Sequence, residues 1–274
     1  MNATTKAADQ PPRLPDLVGH DLGTRTARYT ERDAMLYALA VGAPAERLGL
    51  VYERDLRVLP TYGLTLGLWA VEAAGEIGSY DPLRSLHAAQ RLRMYRELPA
   101  AGTVELTGRI AAVWDKGKAA MVDIDVDSSY FTATYSIFLP GMGGWGGDRG
   151  PASSRGEPAT GWRATYRLPD NLAALYRLTG DRHPVHIDPE VATGYGFDRP
   201  ILHGLCTLGI AARAIADAAD RHPCELTELR ARFAAPVCPG ETLEITAAPG
   251  EAGTEFAVHA GATSVLDGGS ARFA

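Results

Sequence analysis

Cysteine is scarce in this chain: Cys206, Cys224 and Cys238 are three in 274 residues. The number is odd and no Cys-x-x-Cys pair occurs, so no disulfide framework is expected and the thiols read as reduced ones of an intracellular protein. Long apolar runs are missing too, and nothing approaches the ~20 residues that a membrane span needs. Met1 to Arg13 is polar and Pro-containing and lacks the apolar centre of a secretory leader. The C-terminal Ser270-Ala-Arg-Phe-Ala274 is not a Ser-Lys-Leu peroxisomal address, which leaves the cytoplasm as the expected compartment. Positive charge is not in excess: 27 Lys and Arg face 33 Asp and Glu, a net charge of −6. That balance argues against a broad nucleic-acid surface. Phosphate-cradling Gly-rich motifs and a Gly-x-Ser-x-Gly nucleophile elbow are also absent.

What remains is an ordinary globular composition, 46% hydrophobic and 22% charged, with length for one large or two ordinary domains. Residues 1–15 read as a disordered lead-in. Residues 141–162, with Gly-Met-Gly-Gly-Trp-Gly-Gly at their start, read as a Gly-rich linker between units at 16–140 and 163–274. The two units echo each other. Pro99-Ala-Ala-Gly-Thr-Val-Glu-Leu-Thr107 resembles Val237-Cys-Pro-Gly-Glu-Thr-Leu-Glu-Ile-Thr246. Leu59-Pro-Thr-Tyr-Gly-Leu-Thr-Leu-Gly67 resembles Ile201-Leu-His-Gly-Leu-Cys-Thr-Leu-Gly209. The same order in both halves points to a duplicated unit.

Each half is predicted to open with a short helix. One is capped at Thr30 and stopped at Gly42; the other is capped by Asp170 and stopped at Gly180. A longer helix is predicted over about Gly204 to Ala219, where burial is expected for Cys206. Strands are expected at 104–114, 119–126, 131–139, 227–233, 242–247, 256–259 and 262–266. The fold class that follows is α+β, with an antiparallel sheet wrapped around a helix, twice.

One segment concentrates chemistry: Tyr176-Arg-Leu-Thr-Gly-Asp-Arg-His-Pro-Val-His-Ile-Asp-Pro189, followed by Pro200-Ile-Leu-His-Gly204. Asp181 and His186 stand five apart on a loop shaped by Gly180 and Pro184, and together could hold one water and move its protons. Val-His-Ile reads as extended, with His186 facing away from Val185 and Ile187. Asp188 before Pro189 reads as a helix cap. Gly204 opens the long helix, where free N–H groups and a close backbone approach suit an oxyanion. From these residues alone, a turn-capping Asp181 and a surface His186 stay equally open, and Gly204 reads as a helix cap that needs glycine for packing. His183, His186, Asp188 and His203 match no helical zinc pattern, and no metal is expected.

Taken together, Tyr-x-Leu-Thr-Gly-Asp-x-x-Pro-x-His-x-Asp-Pro and Pro-Ile-Leu-His-Gly closely resemble the (R)-specific 2-enoyl-CoA hydratases, the hydratase 2 branch of the MaoC-like group. Further matches are Val51-Tyr-Glu53, Leu86-His-Ala-Ala-Gln90, Trp114-Asp-Lys-Gly117 and Ala231-Arg-Phe-Ala-Ala-Pro236. They extend the resemblance over nearly the whole chain, in the two-repeat form found in peroxisomal multifunctional enzyme type 2. The resemblance implies a double hot dog whose carboxyl repeat is catalytic and whose amino repeat holds the acyl chain. It implies Asp181 and His186 as the water-holding pair and the Gly204 N–H as the oxyanion donor. His87, Ala88, Lys116 and Phe233 fall at acyl-CoA contacts, and Glu53 at a position with an indirect role. His183 stands where the family has Asn; Ala88 stands where it often has Gly. The implied activity is reversible hydration of a trans-2-enoyl-CoA without a cofactor, by an enzyme that is a homodimer and partners neither nucleic acid nor membrane. A hot-dog thioesterase and a non-catalytic acyl-CoA-binding protein are the alternatives.

Overall fold

The computed structural model describes residues 11–152, 161–251 and 253–274. Strand-forming sequence alternates with a period of two. In β3 (Gly102–Asp115) Val104, Leu106, Gly108 and Ile110 face inward and their neighbours outward. β4 (Ala119–Asp127) and β5 (Phe131–Pro140) continue the meander, flanked by β1 (Asp21–Tyr29) and β2 (Leu86–Met94). The carboxyl half supplies β6 (Trp162–Arg167), β7 (Leu226–Phe233), β8 (Thr242–Gly250), β9 (Gly253–Ala260) and β10 (Thr263–Phe273).

All ten strands form one antiparallel sheet in the order β1-β3-β4-β5-β2-β7-β10-β9-β8-β6. Each half reads 1-3-4-5-2 outward-in, so the second half repeats the first and the two meet where β2 pairs β7, from Ala89↔Arg232 to Arg93↔Glu228. Both echoed sequence pairs occupy equivalent places: the starts of β3 and β8, and the helices described next.

The helix at the centre of the carboxyl half is α7 (Gly204–Ala218), following α5 (Leu172–Tyr176) and α6 (Pro189–Gly194). Its residues Leu205 to Ala212 are all buried, as befits a helix with no polar stripe. The amino half contains α1 (Glu31–Ala40), the single turn α2 (Leu48–Val51), α3 (Tyr62–Gly67) and α4 (Trp69–Glu76). The last two correspond to α7, interrupted at Leu68. Close approach explains two glycines here. A Cβ at Gly209 would lie 2.7 Å from Val41 and 2.9 Å from the Tyr37 hydroxyl, and one at Gly67 would lie 2.6 Å from the Tyr135 hydroxyl. α1 therefore packs on α7 across the two halves. Arg213 of α7 reinforces this contact by donating to the Val41 carbonyl at 3.0 Å.

Several local expectations change. Each half opens with an edge strand, β1 or β6, before its first helix. These strands and β2 were not anticipated; β1 leaves most of its side chains in solvent, and β6 exposes every second one. Thr30 caps α1 in a full capping box with Asp33. In α5, however, the cap position is Asn171, without a side-chain bond, and Asp170 instead lies 3.8 Å from Arg167. β10 runs on to Phe273 because Asp267-Gly-Gly makes a bulge in the ladder rather than a turn. At the N-terminus residues 1–10 lie outside the described residues. Disorder through residue 15 does not hold, since Leu14 is packed in the core.

Of the Gly-rich segment, residues 153–160 lie outside the described residues. The part that precedes them is folded around one carboxylate. Asp115 accepts N–H bonds from Gly117, Gly144 and Gly146 at 2.8 Å and Gly147 at 3.3 Å. The backbone donor at Gly144, joined by the other three, holds its carboxyl down to about 2.

Candidate active site

Gly180 ends the α5 segment with φ near +150°, and a Cβ there would lie 2.6 Å from Thr65 Cγ2. A glycine is required to turn the chain into the loop that begins with Asp181. The Asp181 carboxylate accepts the His183 N–H at 3.1 Å, an Asx turn that fixes its direction. Pro184 to His186 is a 3-10 turn, so the extended Val-His-Ile expectation is corrected. Pro184 presets the turn's φ, Val185 is buried beneath it, and His186 is half-buried. Asp188 caps α6 as predicted, accepting from Glu190 and Val191.

Hydrogen-bond partners assign the imidazole tautomers. His186 Nδ1 lies 2.9 Å from the Ile201 carbonyl, which only accepts, so Nδ1 carries the proton and Nε2 offers a lone pair. His203 Nε2 lies 3.1 Å from the Asp181 carbonyl and is likewise a donor. His183 Nδ1 accepts from Val185 N–H at 3.3 Å, which leaves its Nε2–H facing the Tyr195 hydroxyl at 3.3 Å. The rings of His186 and His203 stack at 3.7 Å with a 26° tilt. Burial pushes the His186 imidazole below its ordinary value, with the Asp181 charge opposing. Burial likewise pulls His203 down to about 2, so it is neutral at any ordinary pH.

Ligand atoms of Asp181, His186 and His203 lie within 4.8 Å of one another. Three such groups could face a metal ion. Yet near-parallel stacked rings send their in-plane lone pairs side by side rather than to one point, and one nitrogen of each ring is already committed to a carbonyl. The spacing suits a water. One water donating to two acceptors at about 2.8 Å spans about 4.4 Å between them.

Gly204 begins α7 and is exposed where Leu202, His203 and Leu205 to Ala212 are buried. Its N–H belongs to the first turn, which has no intrahelical acceptor. The Phe233 ring covers Gly204, 3.0 Å from where a Cβ would sit. His87 packs on Phe233 with ring centroids 4.6 Å apart. Ala88, next in β2, is the bulged residue where the β2–β5 register slips between His87 and Ala89. His87 Nε2 is buried without a protein partner, and burial lowers its pKa to about 4. His87, Ala88, Phe233 and Gly204 thus gather at the β2–β7 seam.

Lys116 and Glu53 stand apart from this group. Lys116, in the turn after β3, gives its ammonium to the Arg149 and Pro151 carbonyls. Glu53 lies exposed in the turn after α2. A groove of about 420 Å³ begins between Arg25 and Trp69, passes Leu66 and Leu68, and ends at Leu178 to Gly180, one residue before Asp181. A larger one, about 550 Å³, lies away from the dyad on the outer sheet face among Arg91, Trp114, Asp123 and Glu228. Sequence reasoning missed His203 and Tyr176, whose ring lies 4.8 Å from His203. The signal was the His of Leu-His-Gly, read as the residue before a helix start and weighed otherwise only as a metal ligand.

Fold and site define a class: a double hot dog, two repeats in one sheet, with Asp181 and His186 gathered before the N-terminus of the central helix α7. Comparisons with known proteins narrow this. Residues 28–139 match the MFE-2 hydratase 2 N-terminal domain, and residues 155–267 match the MaoC like domain. The 3-hydroxyacyl-thioester dehydratase Y of Mycobacterium tuberculosis is 37% identical over 94% of this chain and 98% of its own length. Peroxisomal multifunctional enzyme type 2 of Mus musculus is 37% identical over 83% of the chain, which spans 34% of that larger protein. The crystal structure of a MaoC-like dehydratase from Phytophthora capsici superposes with a TM-score of 0.85 over 95% of this chain and 97% of that one, at 26% identity. The chain belongs to the MaoC-like dehydratase family, in its two-repeat hydratase 2 form.

Proposed function

We propose that this protein reversibly hydrates trans-2-enoyl-CoA thioesters to (3R)-3-hydroxyacyl-CoA. The observation that carries the reading is that ligand atoms of Asp181 and His186 lie within 4.8 Å of each other, while the bond of His186 Nδ1 to the Ile201 carbonyl leaves Nε2 its lone pair. Two acceptors take both hydrogens of one water and leave its lone pair for the substrate. The Gly204 N–H donates to the thioester carbonyl and draws electrons from the double bond. The water oxygen then bonds to C3, the π electrons pass into the enolate held at Gly204, and the water's proton goes to His186 Nε2. The dyad returns that proton to C2, and the sum is water added across C2=C3. A neutral His186 starts the cycle as base, which its depressed pKa favours.

The amino repeat holds the acyl chain and selects its length, with Leu66, Leu68 and Trp69 as its apolar wall in a groove that Arg25, Arg28, Asp33 and Glu72 also line. His87, Ala88 and Phe233 flank the thioester, Lys116 contacts the coenzyme only by releasing the Arg149 and Pro151 carbonyls, and Glu53 acts indirectly. The substrate's coenzyme A is the one organic group required, and no metal enters the reaction. The enzyme is a cytoplasmic homodimer, which sedimentation and fractionation would test. Among the described residues no helix is long and apolar enough to cross a membrane.

Incubation with crotonyl-CoA and chiral analysis of the product tests the reading. Loss of the enoyl chromophore with (3R)-3-hydroxybutyryl-CoA as product is expected. Free thiol release without hydration would make it a thioesterase, and tight binding without turnover a binding protein; either overturns the proposal. Gly204→Ala is a second expectation. Its methyl would press on Phe233 from 3.0 Å, and displacement of the donor should lower kcat about 10-fold.

A further inference from the structure

We infer that His203, which never meets substrate, is a positioning residue: a fully buried imidazole that ties Asp181, His186 and the Gly204 end of α7 into one unit. The inference rests on the hydratase reading of the same site and extends it to a residue with no part in the proton transfers.

Three contacts carry it. His203 is 0% exposed. Its Nε2–H binds the Asp181 carbonyl at 3.1 Å, which anchors the residue bearing the catalytic carboxylate. One face of its ring lies on His186 at 3.7 Å, nearly parallel, and Tyr176 packs at 4.8 Å. Its backbone is the N-cap of α7, so the ring is one residue from the Gly204 amide. A shift of this ring would move the acid–base pair and the oxyanion donor against each other. Misplacement by about 1 Å can cost about 100-fold in rate.

Why a histidine, when a phenylalanine would stack and a glutamine would donate? Only an aromatic N–H donor does both. The ring must also refuse a proton. During turnover His186 becomes an imidazolium 3.7 Å away. A neutral π-face tolerates that cation, whereas a protonated His203 would repel it and drain the proton from the dyad. Titratable and charged groups around it are His186, Asp181, His183, Arg177 and Tyr176. Burial, His186, Arg177 and His183 disfavour a charge on His203, and its bond to the Asp181 carbonyl is the opposing influence. Its Nδ1 is buried without a partner, so taking up a proton there would leave a buried cation with an unsatisfied donor.

The test pairs variants with a measurement on the wild type. His203→Phe keeps the stack and loses the donor; His203→Gln keeps a donor and loses the ring. Each should lower kcat on crotonyl-CoA about 10- to 100-fold with KM within about threefold. His203→Gln should also move the acidic limb of the kcat profile to higher pH, because His186 loses part of the burial that depresses it. A merely structural role would change the melting temperature and leave kcat per folded site and the pH profile where they were, and that result overturns the inference. Nitrogen-15 imidazole NMR on the wild type needs no variant to fold. It should show His203 fixed as the neutral Nε2–H tautomer from about pH 5 to 8. Titration of His203 in that range overturns the inference, whatever thioester proves to be the substrate.

Discussion

His186→Ala lowers kcat for hydration of crotonyl-CoA at least about 100-fold and leaves KM within about threefold, the signature of a group that acts on the reacting atoms rather than on binding. Asp181→Asn does the same by a cleaner route. The amide oxygen still accepts the His183 N–H that fixes the Asp181 side chain, so the turn survives and only the charge is removed. Losing either partner leaves the water with one acceptor and its proton without a destination. Initial-rate kinetics, with circular dichroism to confirm folding, decide the matter. Near-wild-type turnover by either variant removes both residues from the mechanism.

Acid destabilises the fold well above the pH at which carboxylates titrate. His186 and His203 have lowered pKa values in the folded state, His203 down to about 2, against about 6.5 for an unfolded histidine. The unfolded chain therefore takes up protons that the native state refuses, and stability falls as pH drops below about 6.5. His203 alone accounts for about 2 kcal/mol lost between pH 7 and pH 5, by the ~1.4 kcal/mol per unit that linkage prescribes. His186, and His87 with its value lowered to about 4 by burial, add to the same trend. Urea midpoints at the two pH values measure it. A midpoint that does not move would mean that these rings are hydrated or charged in the native state.

The chain itself held much of this. The strand meanders were legible because their alternation is strict, as in β3, and α7 was legible because an unbroken apolar stretch behind a glycine start has no other place than the interior. The doubled order of two short segments fixed the repeat. The Asp181–Pro189 segment announced a turn-held acid and imidazole. β1 stayed hidden because most of its side chains face solvent, whereas β6 carries a short apolar alternation, Trp162, Ala164 and Tyr166, that the sequence reading passed over. The interruption at Leu68 stayed hidden because no proline or capping residue marks it. The extended Val-His-Ile reading failed because Pro184 and the Asx turn at Asp181 wind the backbone locally, which side-chain alternation cannot register.

Sequence alone determined the elements, the duplication and the inventory of reactive groups, because these depend on periodicity and on residue types near one another in the chain. Tertiary structure decided how those groups act. It joined β2 to β7 and so brought His87 of one half against Phe233 of the other, the ring that covers Gly204. It set the tautomer of His186 through a carbonyl fifteen residues away. It turned His203 from a helix-start residue into the ring on which His186 rests. Proton positions and ring stacking are set by partners distant in sequence and by burial, and burial exists only once the sheet has closed over the helix.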